Sequence, residues 1–146
     1  MNVLLLIHGS EEYLIGDVYD ALQEQSIDLQ VVRYQLPYQG ICSQQSEIFA
    51  QLANSDVLAY FSSAGNNQNS CLALAIREAA RLNVKIVCIG SEDEEQLGDG
   101  FSGFGDCIVP VLADLPSVII ESNGDGLAEG ARKTIQIKRF KCGNKE

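Results

Sequence analysis

Residues Val3 to Ile7 form an unbroken apolar run closed by His8-Gly9-Ser10. A short run without polar alternation reads as a strand covered on both faces, as parallel sheets require, and it is expected at the centre of the sheet. From Glu11 to Gln25, Leu14, Val18, Tyr19 and Leu22 recur at helical spacing, with Ser10 placed to cap and acidic residues in the first turn. Gly16 is the weak point of that helix. Leu29 to Tyr34 reads as a second strand, ended by the turn Leu36-Pro37-Tyr38-Gln39-Gly40. A helix from Ser43 to Asn54 sets Ile48, Phe49 and Leu52 on one face. Asp56 to Phe61 is the third strand, and the polar loop from Ser62 to Asn69 is too rich in turn residues to continue it. The spacing of Leu72, Ala75, Ile76, Ala79 and Ala80 predicts a helix over 70–82, packed closely on the sheet, before a fourth strand from Lys85 to Ile89. Ser91-Glu92-Asp93-Glu94 is a capping-box pattern that opens a short helix. Asp106 to Leu112 is a fifth strand despite Pro110, a residue tolerated at an edge or bulge. Leu115 to Ser122 reads as helical, Gly124-Asp125-Gly126 breaks it, and Thr134 to Cys142 alternates as a final edge strand whose lysines discourage association.

Strand and helix thus alternate along one domain, residues 1–146, without a linker or an internal repeat. The expected fold is α/β: a doubly wound, mostly parallel, five-stranded sheet of flavodoxin-like order, with helices on both faces and a C-terminal edge strand. In such sheets ligands bind beyond the carboxyl ends of the strands, where the strand order reverses. That rule places His8, Gly9, Ser10 and Glu11, after the first strand, opposite Ser62, Ser63 and Asn66, after the third.

Composition narrows the partners. The chain carries a net charge of −10, yet Arg132, Lys133, Lys138, Arg139, Lys141 and Lys145 are six of its ten basic residues. Residues 1–131 therefore hold four bases against nineteen acids. A body so anionic is a poor match for nucleic acid, whose phosphates must be neutralised. No apolar run approaches the roughly 20 residues that span a bilayer. Met1-Asn2-Val3-Leu4 lacks a basic leader, so a strand fits better than a secretion signal and a cytoplasmic location is expected. The five cysteines, Cys42, Cys71, Cys88, Cys107 and Cys142, show no Cys-x-x-Cys pair, and a single histidine accompanies them. They read as inert thiols, and neither a metal ion nor a cofactor is called for.

Three motifs fail on context. Gly98-Asp99-Gly100-Phe101-Ser102-Gly103 has the letters of a dinucleotide fingerprint but lies between a helix and a strand, so it reads as a flexible loop. Leu6-Ile7-His8-Gly9 lacks the Gly-x-Ser-x-Gly elbow of an α/β-hydrolase. His8-Gly9-Ser10 is similar to the first metal-binding stretch of the small tetrapyrrole chelatases, which need a second histidine that this chain does not have.

The stretch from Ile48 to Gly90 is more specific. Ile48-Phe49-Ala50-Gln51-Leu52-Ala53-Asn54-Ser55-Asp56, the strand ending in Ser62-Ser63, the polar loop, the helix and Lys85-Ile86-Val87-Cys88-Ile89-Gly90 follow in order. With the first strand, this resembles the Toll/interleukin-1 receptor (TIR) domains and their bacterial TIR-like and nucleoside-deoxyribosyltransferase-like relatives; residues 113–146 match nothing in them. The resemblance implies a site for NAD or a nucleoside, whose N-glycosidic bond enzymatic members cleave or exchange with a carboxylate near the ribose. It also implies that Leu36 to Cys42 corresponds to the family's mobile loop, used as a lid or as a docking surface. The family's carboxylate position on the third helix falls here on Ala75 or Ile76, and Glu78, the one acid on that helix, stands two or three positions later.

Two readings follow, with a third beside them. The first is a TIR-like module in signalling or defence that binds a nucleotide or a protein partner, its catalytic carboxylate displaced or lost, with homo-oligomers allowed. The second is an active N-glycosidase or transferase in which Glu78 or Glu11 supplies the carboxylate. The third is an acidic, immunity-type protein that binds a basic toxin.

Overall fold

Five parallel strands, β1 (Asn2–His8), β2 (Asp28–Tyr34), β3 (Val57–Phe61), β4 (Lys85–Ile89) and β5 (Cys107–Val109), pair in the order β2-β1-β3-β4-β5. The computed structural model describes residues 1–23, 27–34, 42–63, 66, 69–90, 94–98, 100–110, 112–116 and 118–119. As expected, the first strand lies inside the sheet, paired with β2 from Asn2↔Asp28 to His8↔Tyr34 and with β3 from Val3↔Val57 to Leu6↔Tyr60. The flavodoxin-like expectation thus holds.

The period of two along each strand sorts the core into halves. Leu4, Leu6, Leu58, Tyr60, Ile86, Cys88 and Ile108 point to one face, and Val3, Leu5, Ile7, Val57, Ala59, Val87 and Val109 to the other. The first face is covered by α2 (Gln45–Leu52), α3 (Ser70–Arg81) and the one-turn helices α4 (Glu94–Leu97) and α5 (Phe101–Phe104), through Ile48, Leu72, Ile76, Leu97 and Phe101. The second is covered by α1 (Ile15–Leu22) through Val18 and Leu22, and by Leu115, Val118 and Ile119. Each fully buried Leu or Ile contributes about 1.5–3 kcal/mol, so an apolar layer on both faces explains why the strands carry no polar alternation. At the amino ends, carboxylates close the strands: the Asn2 N–H donates to Asp56 Oδ2 (2.8 Å) and the Ile86 N–H to Asp106 Oδ2 (2.7 Å).

Several elements differ from the sequence pattern. The expected first helix begins as a 3-10 segment, Gly9–Leu14, and its α-helical part starts only at Ile15, so the cap position falls on Leu14 instead of Ser10. The tighter winding, about 2.0 Å per residue, buries Glu11 while leaving Glu12 and Tyr13 exposed. The fifth strand is three residues long, because Pro110 has no N–H to continue the ladder. The Gly98–Gly103 stretch contains a helical turn: Gly98 and Gly100 both take φ +94°, and Phe101 beyond them is fully buried edge-on to Tyr60, ring centroids 6.2 Å apart. That aromatic anchor replaces the flexible loop the glycines suggested.

The cysteines are not all the inert thiols that their spacing suggests. Cys42 and Cys71 are 4.9 Å apart at Cα and form a disulfide, and Cys107 is disulfide-bonded as well; Cys88 alone among the described residues is a free, buried thiol. The Cys42–Cys71 pair is separated by 29 residues and arises from the packing of α2 on α3, which spacing does not reveal. Closing a loop of that length contributes about 3–4 kcal/mol. The Leu36–Gly40 turn, the Ser91–Asp93 cap, the Gly124–Gly126 break and the Thr134–Cys142 edge strand lie outside the described residues. No helix among the described residues is long and apolar enough to cross a membrane.

Candidate functional site

Winding reverses between β1 and β3. The chain leaving β1 reaches α1 on one face of the sheet, and the chain leaving β3 reaches α3 on the other. Parallel neighbours lie about 4.8 Å apart, so the residues following Ile7 and Phe61 set out from adjacent strand ends and diverge. The switch point therefore falls between Gly9–Leu14, which follows β1, and Ser62, Ser63 and Asn66, which follow β3.

Among the described residues, Glu11 is a buried acid of this region. It is 8% exposed, and its charge bears on both the Tyr34 hydroxyl at the end of β2 and the Cys88 thiol in β4. Burial first, then Glu11, raises Tyr34 well above the ordinary phenol range, while a hydrogen bond with Asn69 offsets part of the rise. Burial pushes the Cys88 thiol up to about 12, with Glu11 adding to it and contact with Tyr60 opposing it. Tyr60 is raised by burial above all, and its hydroxyl donates to the Leu97 carbonyl. At neutral pH, Tyr34, Tyr60 and Cys88 are uncharged.

The β3 side is fixed by Asn66, 2% exposed. Its Nδ2 donates to the Phe61 carbonyl (3.1 Å) and the Gln96 carbonyl (2.7 Å), so both amide hydrogens serve to pin the loop. The Ser62 N–H donates to Ile89 O (2.9 Å) and the Ser63 N–H to Gln96 O (3.2 Å), which ties the exits of β3 and β4 together. Gly90 makes this approach possible: its φ is +126°, and a Cβ there would overlap the Ser62 hydroxyl. Ser62 and Ser63 are half-buried beside this seam.

Two residues that the sequence pattern left in structural roles belong to the same region. Asn69 caps α3, its Oδ1 accepting from the Leu72 N–H (3.2 Å), and its Nδ2 donates to the Tyr34 hydroxyl (2.9 Å). The Ser70 hydroxyl oxygen is buried and has no hydrogen-bond partner among the described residues. The sequence pattern left Asn69 in the polar loop; an Asn directly before a helix is the signal that could have marked the cap, and none marks its second bond.

Glu78 is not brought to this region. It stands eight residues beyond the start of α3, about 12 Å along the axis at 1.5 Å per residue, toward the amino ends of the strands. There it forms a two-pronged pair with Arg81 (2.6 and 2.9 Å), whose hydrogen bonds hold its carboxyl below the ordinary range. Ala75 and Ile76, where the family resemblance puts the carboxylate, are fully buried in the core.

Fold and site together define a flavodoxin-like α/β domain with a polar cluster at its switch point. No protein-family model matches the chain, and no curated protein matches its sequence. Among the described residues no group of three or more His, Cys, Asp and Glu side chains is arranged to hold a metal ion.

Proposed function

We propose that the protein is a TIR-like or nucleoside-deoxyribosyltransferase-like module that binds a nucleotide-type small molecule, NAD or a nucleoside, at the switch point between β1 and β3. The observation that carries this reading is Glu11, a buried acidic side chain whose charge bears on the Tyr34 hydroxyl at the carboxyl edge of the sheet. A carboxylate accepts hydrogen bonds and donates none, so it suits the hydroxyl groups of a ribose. The Ser70 hydroxyl, at the first turn of a 12-residue helix, offers a donor where the helix field favours an anion. Binding is favoured over turnover because Ala75 and Ile76 are core residues and Glu78 is held by Arg81.

A second reading, N-glycosidase or transferase activity on the same ligands, is favoured only by Glu11. The oxocarbenium-like transition state of such a reaction needs a carboxylate close to the anomeric carbon, and Glu11 is the buried acid of this region among the described residues.

Thermal unfolding in the presence of NAD, adenosine and deoxyadenosine tests the first reading. A binding module is stabilised by about 2.7 kcal/mol once ligand reaches a hundred times its dissociation constant, and nicotinamide or free base stays below detection on chromatography. Release of base by the wild type that Glu11→Gln abolishes establishes the second reading. Absence of any shift with all three ligands overturns both.

A further inference from the structure

We propose that the Cys42–Cys71 disulfide is a reversible redox latch that holds the first turn of α3 in its binding geometry, so that reduction loosens that turn. The effect on ligand binding rests on the function proposed above; the latch itself rests on the fold.

Three observations place it. Cys71 is the second residue of α3, directly after Asn69 and Ser70, and Cys42 stands just before α2. The disulfide therefore ties the same turn that the Asn69–Tyr34 hydrogen bond ties to the end of β2. Secondly, the sheet is packed on both faces by its helices, and a domain of this length needs no covalent staple to bury a sufficient core. Thirdly, the two sulfurs differ in a way that favours opening. Cys42 lies at the margin of the core, 9% exposed and followed by exposed Ser43, whereas Cys71 is fully buried at the start of a 12-residue helix. Cys42 is therefore the sulfur nearer the surface, where a reductant attacks, and Cys71 is the one that leaves.

The chemistry is a two-electron exchange with a dithiol reductant. One thiolate of the reductant attacks Cys42 Sγ, the bond between the two cysteine sulfurs breaks, and Cys71 leaves as a thiolate and takes up a proton. The second thiolate of the reductant then attacks the mixed disulfide, releasing Cys42, which is protonated in turn, while the reductant departs as a cyclic disulfide. Cys88 takes no part, being wholly buried and protonated.

The test compares the oxidised wild type with the variant C42S/C71S, which leaves the Cys107 disulfide untouched. Amide exchange of Leu72 and Ala73, whose N–H groups bond to Asn69 Oδ1 and Asn69 O, is followed by NMR together with the amides of β1 and β3. The latch predicts exchange faster by about tenfold in the α3 turn, with the strands still protected. It also predicts weaker binding of NAD or adenosine by the variant, and recovery of the oxidised exchange pattern when reduced wild type is reoxidised. Unchanged exchange at Leu72 and Ala73 overturns the latch. So does loss of protection throughout β1 and β3, which would make the bond a general staple. If the variant fails to fold, the comparison is made on Cys107→Ser before and after dithiothreitol, so that the Cys42–Cys71 bond is the one reduced, under the same criteria. Equal affinity of both forms for a nucleotide overturns a regulatory role. If neither form binds any nucleotide, the proposed function fails while the exchange pattern still decides the latch.

Discussion

Asn69 offers the most quantitative test of the fold around the switch point, because one side chain performs two separable tasks. In Asn69→Ala the α3 cap to the Leu72 N–H is lost, at about 1 kcal/mol, and so is the donor to the Tyr34 hydroxyl, worth about 1 kcal/mol more. The expected cost is about 2 kcal/mol. Tyr34→Phe removes the hydroxyl and with it the second task, along with whatever else that hydroxyl contacts. The pair energy is therefore read from a double-mutant cycle: the double variant should be more stable than the sum of the single costs by about 1 kcal/mol. Asn69→Ser keeps a capping oxygen but cannot reach Tyr34, and should cost only about 1 kcal/mol. Urea unfolding of the oxidised proteins followed by far-UV circular dichroism gives each value. If the two single costs add without a remainder, the Asn69–Tyr34 bond contributes nothing and the link between β2 and α3 has been misjudged.

Two further substitutions and one titration follow from the same geometry. Gly90→Ala should cost about 2 kcal/mol or more, a fall in Tm of roughly 4–8 °C, from its left-handed φ of +126° and the overlap with Ser62; adding Ser62→Ala should restore the steric part only. A thermal scan showing no fall would mean the β3 and β4 exits are not in contact. Cys88 titrates at about 12 in the fold against an ordinary thiol value of 9.0, so the folded state holds its proton more tightly. Its stability contribution is whole below pH 9 and is lost as pH rises from about 9 to about 12, by up to about 4 kcal/mol, with Tyr34 and Tyr60 adding their own loss above 10. Urea midpoints measured at pH 7, 9 and 11 should decline only after 9, and Cys88→Ala should reduce the decline; an identical decline in that variant would contradict the burial of the thiol. Finally, Glu78→Gln should leave ligand binding unchanged, since the side chain points its carboxylate to Arg81 at the far end of α3; weaker binding on calorimetric titration would return it to the site.

The parts of this fold that were legible are those decided by burial alone. Val3–Ile7, Val57–Phe61 and Lys85–Ile89 had to be covered on both faces, and the spacing of Leu72, Ala75, Ile76 and Ala79 left one orientation for α3 on the sheet. The switch point followed from topology. What was hidden depends on tertiary contacts. Ser10-Glu11-Glu12 has the letters of a capped helix start, and only the 3-10 winding reveals that Glu11 turns inward, against the usual exposure of glutamate. The Cys42–Cys71 bond joins elements that are neighbours in space and distant in sequence. Phe101 looked like part of a glycine loop until Tyr60 supplied the ring it packs on. Glu78 was prominent as the acid on the third helix, but the helical rise alone takes it away from the switch point.

A nucleotide-type ligand bound as proposed, between the ends of β1 and β3 with Glu11 facing it, must perturb the backbone there. Backbone NMR shifts recorded during titration with NAD and with adenosine test this most directly. Saturable shifts concentrated at Glu11, Ser62, Ser63 and Ser70 are expected, and they should disappear in Glu11→Gln at the same ligand concentrations. Shifts centred instead on the exposed Tyr13 and Tyr19, or saturation that Glu11→Gln leaves unaltered, would contradict it.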